Sequence, residues 1–266
     1  MSATVTRITR RNSHYYKVSG DPQVPENTEL PSVTSIIGAV TAKPWLVPWA
    51  VRSTLEAVDE LLMKPDFNPL SLTIEAKSLA NEEMRLGAEI GEATHQAISL
   101  WLANTDSPAC ANYIDSLDET IKTKVLIGLD SCRRFIDDYR TSSGLVVKDV
   151  ERAVYLPWKP YDFIGFGGTI DCVMANSIGR LIVVDWKTGD NIGAAALMQV
   201  AAYTMALEYL EPGKFAYNSV IVQLNKESVG YTAHHITSLT KWRSAFTAAI
   251  SLWAHIHNFK IANETS

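Results

Sequence analysis

Gly168-Thr169-Ile170-Asp171 and, after a turn, Leu181-Ile182-Val183-Val184-Asp185-Trp186-Lys187-Thr188-Gly189 read as two adjacent strands that each deliver one acid. The run through Val183 and Val184 has the apolar continuity of a strand buried on both faces, and Asp185 falls where the run gives out. Asp185 and Lys187 are two apart, so on a strand both side chains emerge on the same face. Asp171 closes the preceding strand, predicted over Phe163 to Met174, and Ser177-Ile178-Gly179-Arg180 supplies the hairpin turn between them. Two carboxylates and an ammonium converging at a strand end suit metal-dependent phosphodiester hydrolysis. The acids hold a hard divalent cation, and the lysine orients the attacking water and offsets charge building on the phosphate.

The acid-x-lysine triplet carries little by itself, and the chain holds a second copy, Glu75-Ala76-Lys77. That copy lies in the helical-looking stretch Leu72 to Leu79, where residues two apart point to different faces, and it reads as solvated helix surface. Context separates the two. Asp171 precedes Asp185 on a neighbouring strand, and a helix predicted over Ala194 to Leu210 follows. On it Gln199 and Tyr203 form an i,i+4 pair among Ala201, Ala202, Met205, Ala206 and Leu207. The pair either finds ordinary partners at the core boundary or looks across at the Asp/Lys cluster. In the second case Gln199 bridges to the lysine or a phosphate oxygen, and Tyr203 meets the sugar-phosphate backbone or a base.

Asp171, Asp185-Trp186-Lys187-Thr188-Gly189 and Gln199-Val200-Ala201-Ala202-Tyr203 resemble the signature of the RecB-type nucleases of the PD-(D/E)XK superfamily, a group with CRISPR-associated and phage-encoded exonucleases. The upstream Gly87-Ala88-Glu89-Ile90-Gly91-Glu92-Ala93-Thr94-His95 is similar to that family's helical histidine motif, so the likeness runs from about Gly87 to about Asn225. Tyr15-Tyr16-Lys17-Val18 and Leu30 to Gly38 are similar, less diagnostically, to the start of phage-type members. The resemblance implies a restriction-endonuclease-like core and a DNA exonuclease using Mg²⁺ or Mn²⁺, as two ions. It implies His95, Asp171 and Asp185 as ligands with the Trp186 carbonyl, Lys187 as the residue that orients water, and Gln199 and Tyr203 as substrate-positioning residues. A neutral His95 imidazole in the ligand set shifts preference from Mg²⁺ toward Mn²⁺. Gly87 and Gly91 lie on the same helical stripe as His95, each at a cost of roughly 1 kcal/mol against Ala, which predicts a close backbone approach there, to the strand bearing Asp171. Glu151, in Val150-Glu151-Arg152-Ala153, suits either an outer contact at the site or a surface ion pair with Arg152.

Many RecB-type members hold an iron–sulfur cluster, which needs four thiolates; this chain has three cysteines, Cys110, Cys132 and Cys172, widely spaced, so no cluster is expected. Such sparse cysteines suit a reducing cytoplasm, and neither a signal peptide nor a membrane-length apolar run is visible. The net charge of −5 argues weakly against a nucleic-acid partner, although carboxylates at a site add to it by design. Two basic clusters are candidates for a local track: Arg7, Arg10, Arg11 and Lys17, interleaved with Tyr15 and Tyr16, and Arg133, Arg134 and Arg140 on a later helix.

The remaining pattern predicts a strand pair (Thr4 to Ile8, His14 to Ser19), a Pro- and Glu-rich loop to Leu30, and helices from Ser32, Pro44 to Leu62, Leu72 to Leu102 and Pro108 to Arg140. Thr141-Ser142-Ser143-Gly144 is a breaker. Strands follow at Leu145 to Leu156, Tyr217 to Leu224 and Gly230 to Ile236, around the two already described, and a helix closes from Leu239 to His257. The expectation is an α/β fold with a mixed central sheet flanked by helices, as one nuclease domain over 1–266, with 1–86 forming the strand pair and helices and 87–260 the core. DNA, single-stranded or with a free end, is the expected partner, with recombination or replication proteins as further candidates and no membrane. The rival functions are a DNA-binding or recombination-accessory module that does not cut, a non-specific endonuclease, and an unrelated enzyme with a strand-end metal site.

Overall fold

A computed structural model describes residues 3–10, 13–26, 28–41, 46–64, 68–158, 165–189 and 191–264. Arg11, Pro44 and Phe163 lie outside the described residues. Strands β1 (Thr4–Arg10), β2 (Ser13–Ser19) and β3 (Glu29–Pro31) form an antiparallel sheet in that order. Helices α1 (Val33–Val40), α2 (Leu46–Leu62), α3 (Leu72–Ala103), α4 (Ala109–Asp115) and α5 (Glu119–Ser143) follow. Then come β4 (Val146–Pro157), β5 (Gly165–Ala175), β6 (Leu181–Lys187), α6 (Ala194–Leu210), β7 (Phe215–Leu224), β8 (Tyr231–Ile236) and α7 (Leu239–Glu264).

The second sheet runs β4-β5-β6-β7-β8, antiparallel throughout except between β6 and β7, which α6 joins as a crossover. That single parallel step makes the sheet mixed, and helices cover both faces, as expected of a restriction-endonuclease-like fold. Val173, Val183 and Ile221 face α1, α6 and α7 in one core. Cys172, Met174, Val184, Trp186 and Val222 face α3, α4 and α5 in the other. Both faces of β6 are therefore apolar and buried, which is what the unbroken Leu-Ile-Val-Val run requires.

Three features differ from the sequence expectation. The stretch expected as one helix from Pro108 is two, because Asp118 caps α5 by accepting the Thr120 N–H at 3.0 Å and so starts a new helix. The N-terminal strand pair is a three-stranded sheet; Pro31 closes a third strand inside the region expected as a loop. Helix α5 runs through the Ser142-Ser143 breaker and ends at Gly144, whose φ of 62° is the left-handed cap.

The N-terminal sheet is fastened to β4 and β5. Tyr16, Val18, Val24 and Leu30 pack with Tyr155 of β4, and the buried Asp21 accepts the hydroxyls of Tyr155 (2.7 Å) and Tyr209 (2.8 Å). Tyr16 lies over Gly167, where an added Cβ would sit 2.4 Å from the tyrosine side chain.

Candidate active site

Strands β5 and β6 pair from Ala175↔Leu181 to Cys172↔Val184, and there the ladder stops. Beyond that point β5 continues against β4, while β6 continues against β7 as far as Lys187↔Gln223. The sheet forks, and Asp171 and Asp185 are the first residues past the split on either prong. In place of the lost ladder bond, the Trp186 N–H donates to Asp171 Oδ2 at 2.9 Å. The pleat also slips here. Ile170 and Val173 share one core while Cys172 and Met174 share the other, so the strict alternation of β5 breaks at Asp171.

The other site residues converge from helices on both sides. His95, on α3, brings Nδ1 to 3.5 Å from Asp171 Oδ2. Lys187 Nζ lies 2.7 Å from Asp185 Oδ2 and donates to Gln199 Oε1 at 3.2 Å. Gln199 Nε2 in turn donates to the Tyr203 hydroxyl at 3.0 Å. The order Asp185, Lys187, Gln199, Tyr203 is thus one connected polar line across the β6–α6 interface. Lys187 is also held from its backbone side, because Gln223, its partner on β7, donates to the Gly189 carbonyl at 2.9 Å and contacts His234 at 3.1 Å.

Burial sets the electrostatics. Asp185 is 1% exposed, and neither of its oxygens accepts a regular hydrogen bond; its partner is the Lys187 ammonium, as a close ion pair. Burial, reinforced by the Asp171 charge and only partly offset by Lys187, pushes its carboxyl up to about 6. Asp171 moves the other way: burial opposes ionisation, but the His95 imidazolium and then Lys187 outweigh it, and its value is lowered. For His95, burial disfavours the charged form, yet the Asp171 carboxylate prevails and the imidazole is raised. Lys187 stays charged, since the two carboxylates overcome its desolvation. Burial and the same two carboxylates hold the Tyr203 phenol protonated.

Several expectations are corrected at this site. Tyr203 is 4% exposed, its ring lies against Gly168 and its hydroxyl accepts from Gln199, the core-boundary alternative of the two left open for it. Tyr16, beside the basic residues of the hairpin, is buried as well, at 3% exposed. Gly91 approaches Thr188, not β5, with a Cβ position 3.1 Å from Thr188 Oγ1, and Gly87 meets nothing within 4 Å. The close contact therefore joins α3 to the turn after Lys187. Arg152 pairs with Asp149 and Glu211, both at 2.8–2.9 Å, so it is not the partner of Glu151. Glu151 has a φ of 48°, the one positive value outside glycine among the described residues, and it stands on β4 where the register places it beside Asp171. Burial and the Asp171 charge raise its carboxyl. Nothing in Val150-Glu151-Arg152-Ala153 signals such a backbone, and strain of about 1–3 kcal/mol per residue of this kind is characteristic of functional sites.

Whether these residues suit a divalent cation turns on Asp185 Oδ1, the carboxylate oxygen that the Lys187 pair leaves buried and without a donor. Among the described residues no group of three or more His, Cys, Asp or Glu side chains is arranged so as to hold a metal ion. The donor set nevertheless fits a hard cation: two carboxylates and an imidazole at one fork, with Asp185 Oδ1 buried and without a donor. The positive charge facing Asp185 here is the Lys187 ammonium. Cys110, Cys132 and Cys172 are buried and free, each in the apolar core under α3 to α5. A surface cavity of about 630 Å³ lined by Asp138, Tyr139, Tyr231 and His235 contains none of these residues.

A family model of the PD-(D/E)XK nuclease superfamily matches residues 70–266, and the chain belongs to that superfamily. Its members are nucleases that generally use divalent ions such as Mg²⁺ or Mn²⁺. No curated protein matches the chain. Among solved structures it is similar to "Crystal structure of SSO0001" at 11% identity and a TM-score of 0.32, over 59% of this chain and 74% of that one. No helix among the described residues is long and apolar enough to cross a membrane.

Two substitutions test the construction of the site. Gly168→Ala places a Cβ 2.4 Å from Tyr203 Cε1, and the strain is expected to cost about 1–3 kcal/mol, read as a lower midpoint in urea. His95→Ala is expected to leave the melting temperature nearly unchanged and to raise the metal requirement on the order of 10–100-fold. An unchanged metal titration with a lowered melting temperature would instead make His95 a packing residue.

Proposed function

We propose that this chain is a metal-dependent DNA exonuclease of the RecB type, one nuclease domain over 1–266, working in the cytoplasm in recombination, repair or phage DNA processing. The observation that carries the reading is the Lys187 ammonium shared between a buried carboxylate, Asp185, and the Gln199 amide, at a fork that also bears Asp171. His95, Asp171 and Asp185, with the Trp186 carbonyl, would hold Mg²⁺ or Mn²⁺, as two ions. Bound there, the cations supply Lewis-acid polarisation of the scissile phosphate and lower the pKa of the attacking water. The chain's own residues do the rest. Lys187 would donate to the attacking water and to a non-bridging phosphate oxygen, offsetting the charge that builds there. Gln199, locked by Tyr203, fixes the lysine's direction. Glu151, free of Arg152 and beside Asp171, accepts hydrogen bonds from the hydration around the site. None of these groups addresses a base edge, so sequence preference is slight.

The long helical segment before the core places α3 against the fork and favours a single flexible strand entering with a free end. A covalently closed single-stranded circle is to be compared with the same molecule linearised, in Mn²⁺. Digestion of the linear form alone supports the exonuclease. Equal digestion of both makes the chain a non-specific endonuclease on the same site, and binding of both with digestion of neither makes it a binding module.

A further inference from the structure

We propose that Arg7, held by His14 on the β1–β2 hairpin, grips a backbone phosphate of the DNA strand at the mouth of the fork. The inference rests on the nuclease reading and names a substrate contact that the motif residues do not supply.

The register of the hairpin pairs Arg7 with Tyr16 and Thr9 with His14. Cross-strand partners point to one face of a sheet, so Arg7, Thr9 and His14 share the face on which Tyr16 packs against β5. Tyr16 is fixed there by its hydroxyl, 2.8 Å from Thr169 Oγ1, and by its contact with Gly167. Thr169 is two residues from Asp171. The hairpin is thus set at a fixed distance from the site, and Arg7 is built onto the strand beside the anchoring tyrosine.

The guanidinium is also held in a particular way. Arg7 Nη2 lies 2.8 Å from His14 Nε2, and Thr9 Oγ1 lies 3.0 Å from His14 Nδ1. Arg7 Nη2 also lies 3.4 Å from His14 Nδ1, so the guanidinium sits across the imidazole, which can partner it only as an acceptor because arginine only donates. Burial and the Arg7 charge lower the His14 pKa, in keeping with that state. A neutral partner orients Arg7 without cancelling its charge, and no carboxylate stands within 4.0 Å of it among the described residues. Arg10, by contrast, is committed to Glu29 at 2.5 Å, and Lys17, next to Tyr16 in the chain, points to the opposite face. The remaining donors of the Arg7 fork stay available for the two-point contact that phosphate favours.

Strand β1 packs on β4, which bears Glu151, and the Arg7 charge works against the rise of the Glu151 carboxyl, while Tyr16 ties the hairpin to Thr169 beside Asp171. The hairpin cation therefore sits at the acidic rim. A DNA strand that approaches Asp171, Asp185 and Glu151, on a chain of net charge −5, meets carboxylates whose nearest cations, Lys187 and His95, are already paired with them. A fixed cation at that rim is what brings one phosphate in and holds it beside the fork.

The test is binding of fluorescein-labelled oligothymidylate by the full chain, with Ca²⁺ replacing the catalytic ion, between about 50 and 200 mM salt. Arg7→Gln keeps the stem and a donor to His14 but removes the charge. It is expected to weaken binding about fivefold and to lower the slope of log K against log salt by about 0.7, the release expected for one single-strand phosphate contact. Arg7→Lys is expected to keep the slope with a smaller loss, and both variants to melt as wild type does. Wild-type affinity and slope in Arg7→Gln would overturn the proposal, as would equal losses in both variants at unchanged slope, the mark of a structural role. Wild type that neither binds nor cuts DNA overturns the nuclease reading as well, which separates the two failures.

Discussion

Lys187→Ala is expected to reduce DNA cleavage by on the order of 10²–10³-fold while leaving most DNA affinity in place. The lysine's contribution is made to charge that exists only as the phosphate is attacked, so its loss appears in kcat and hardly in KM. The variant also carries a stability signature. Without the ammonium 2.7 Å away, Asp185 is left buried with no cation and must be neutralised by a proton. Lys187→Ala should therefore melt well below wild type at pH 8 without metal, and much closer to it at pH 5, where Asp185 is protonated in both. Asp185→Asn abolishes cleavage to a similar extent. Retention of more than about a tenth of the wild-type rate in either folded variant would remove these residues from the chemistry.

Metal binding is expected to be steeply pH-dependent. Asp185, pushed up to about 6, and His95, raised from its usual value by Asp171, must both lose protons before they ligate a cation. Affinity for Mn²⁺ should then fall below about pH 6 by up to about 100-fold per pH unit, as two protons compete with one ion. Without metal, the three groups shift stability with pH in different ways. Asp185 is a carboxyl raised above its unfolded value, so ionising it costs stability between about pH 4 and pH 6. His95, also raised, contributes stability below its unfolded value, and this is lost as pH rises through its folded value. Asp171 is lowered and contributes stability above its unfolded value, lost only in acid. The metal-free protein should consequently lose thermal stability from about pH 5 upward, and the increment from Mn²⁺ should grow over the same range. Differential scanning fluorimetry with and without Mn²⁺ from pH 5 to pH 8 reads both effects, and Asp185→Asn should flatten the first. An increment independent of pH would mean that the ion binds elsewhere.

Much of the fold was legible in the chain because its core strands are unusually explicit. The Leu-Ile-Val-Val run can only be a doubly buried strand, and the acid and lysine that end it can only be tolerated where the sheet opens. The small-residue face of α6 likewise required a helix packed closely on that sheet. The fork itself was hidden. Strand periodicity says where Asp171 and Asp185 lie but not that β5 and β6 separate between them, which depends on each finding a different partner, β4 or β7. Burial of the tyrosines was hidden for a related reason. For Tyr203 the sequence left a core-boundary place and a view of the acids both open, and only the close approach at Gly167 and Gly168 shows that Tyr16 and Tyr203 pack against β5. Gly91 signalled a contact correctly and misassigned its partner, since a helix stripe fixes which face is crowded but not which turn crowds it. The left-handed Glu151 had no signal, because nothing local favours that conformation in a β-strand. Short β3 was masked by the proline at its end.

The central claim is that the forked cluster of His95, Asp171, Asp185 and Lys187 is a divalent-metal nuclease site. Its most direct measurement is degradation of end-labelled single-stranded and duplex DNA by wild type and Asp185→Asn, in Mg²⁺, in Mn²⁺ and in EDTA. Wild type is expected to release label with either ion and none in EDTA, and the folded variant to release none in any condition. Cleavage by Asp185→Asn at the wild-type rate, or no cleavage by wild type with any divalent ion, would contradict it.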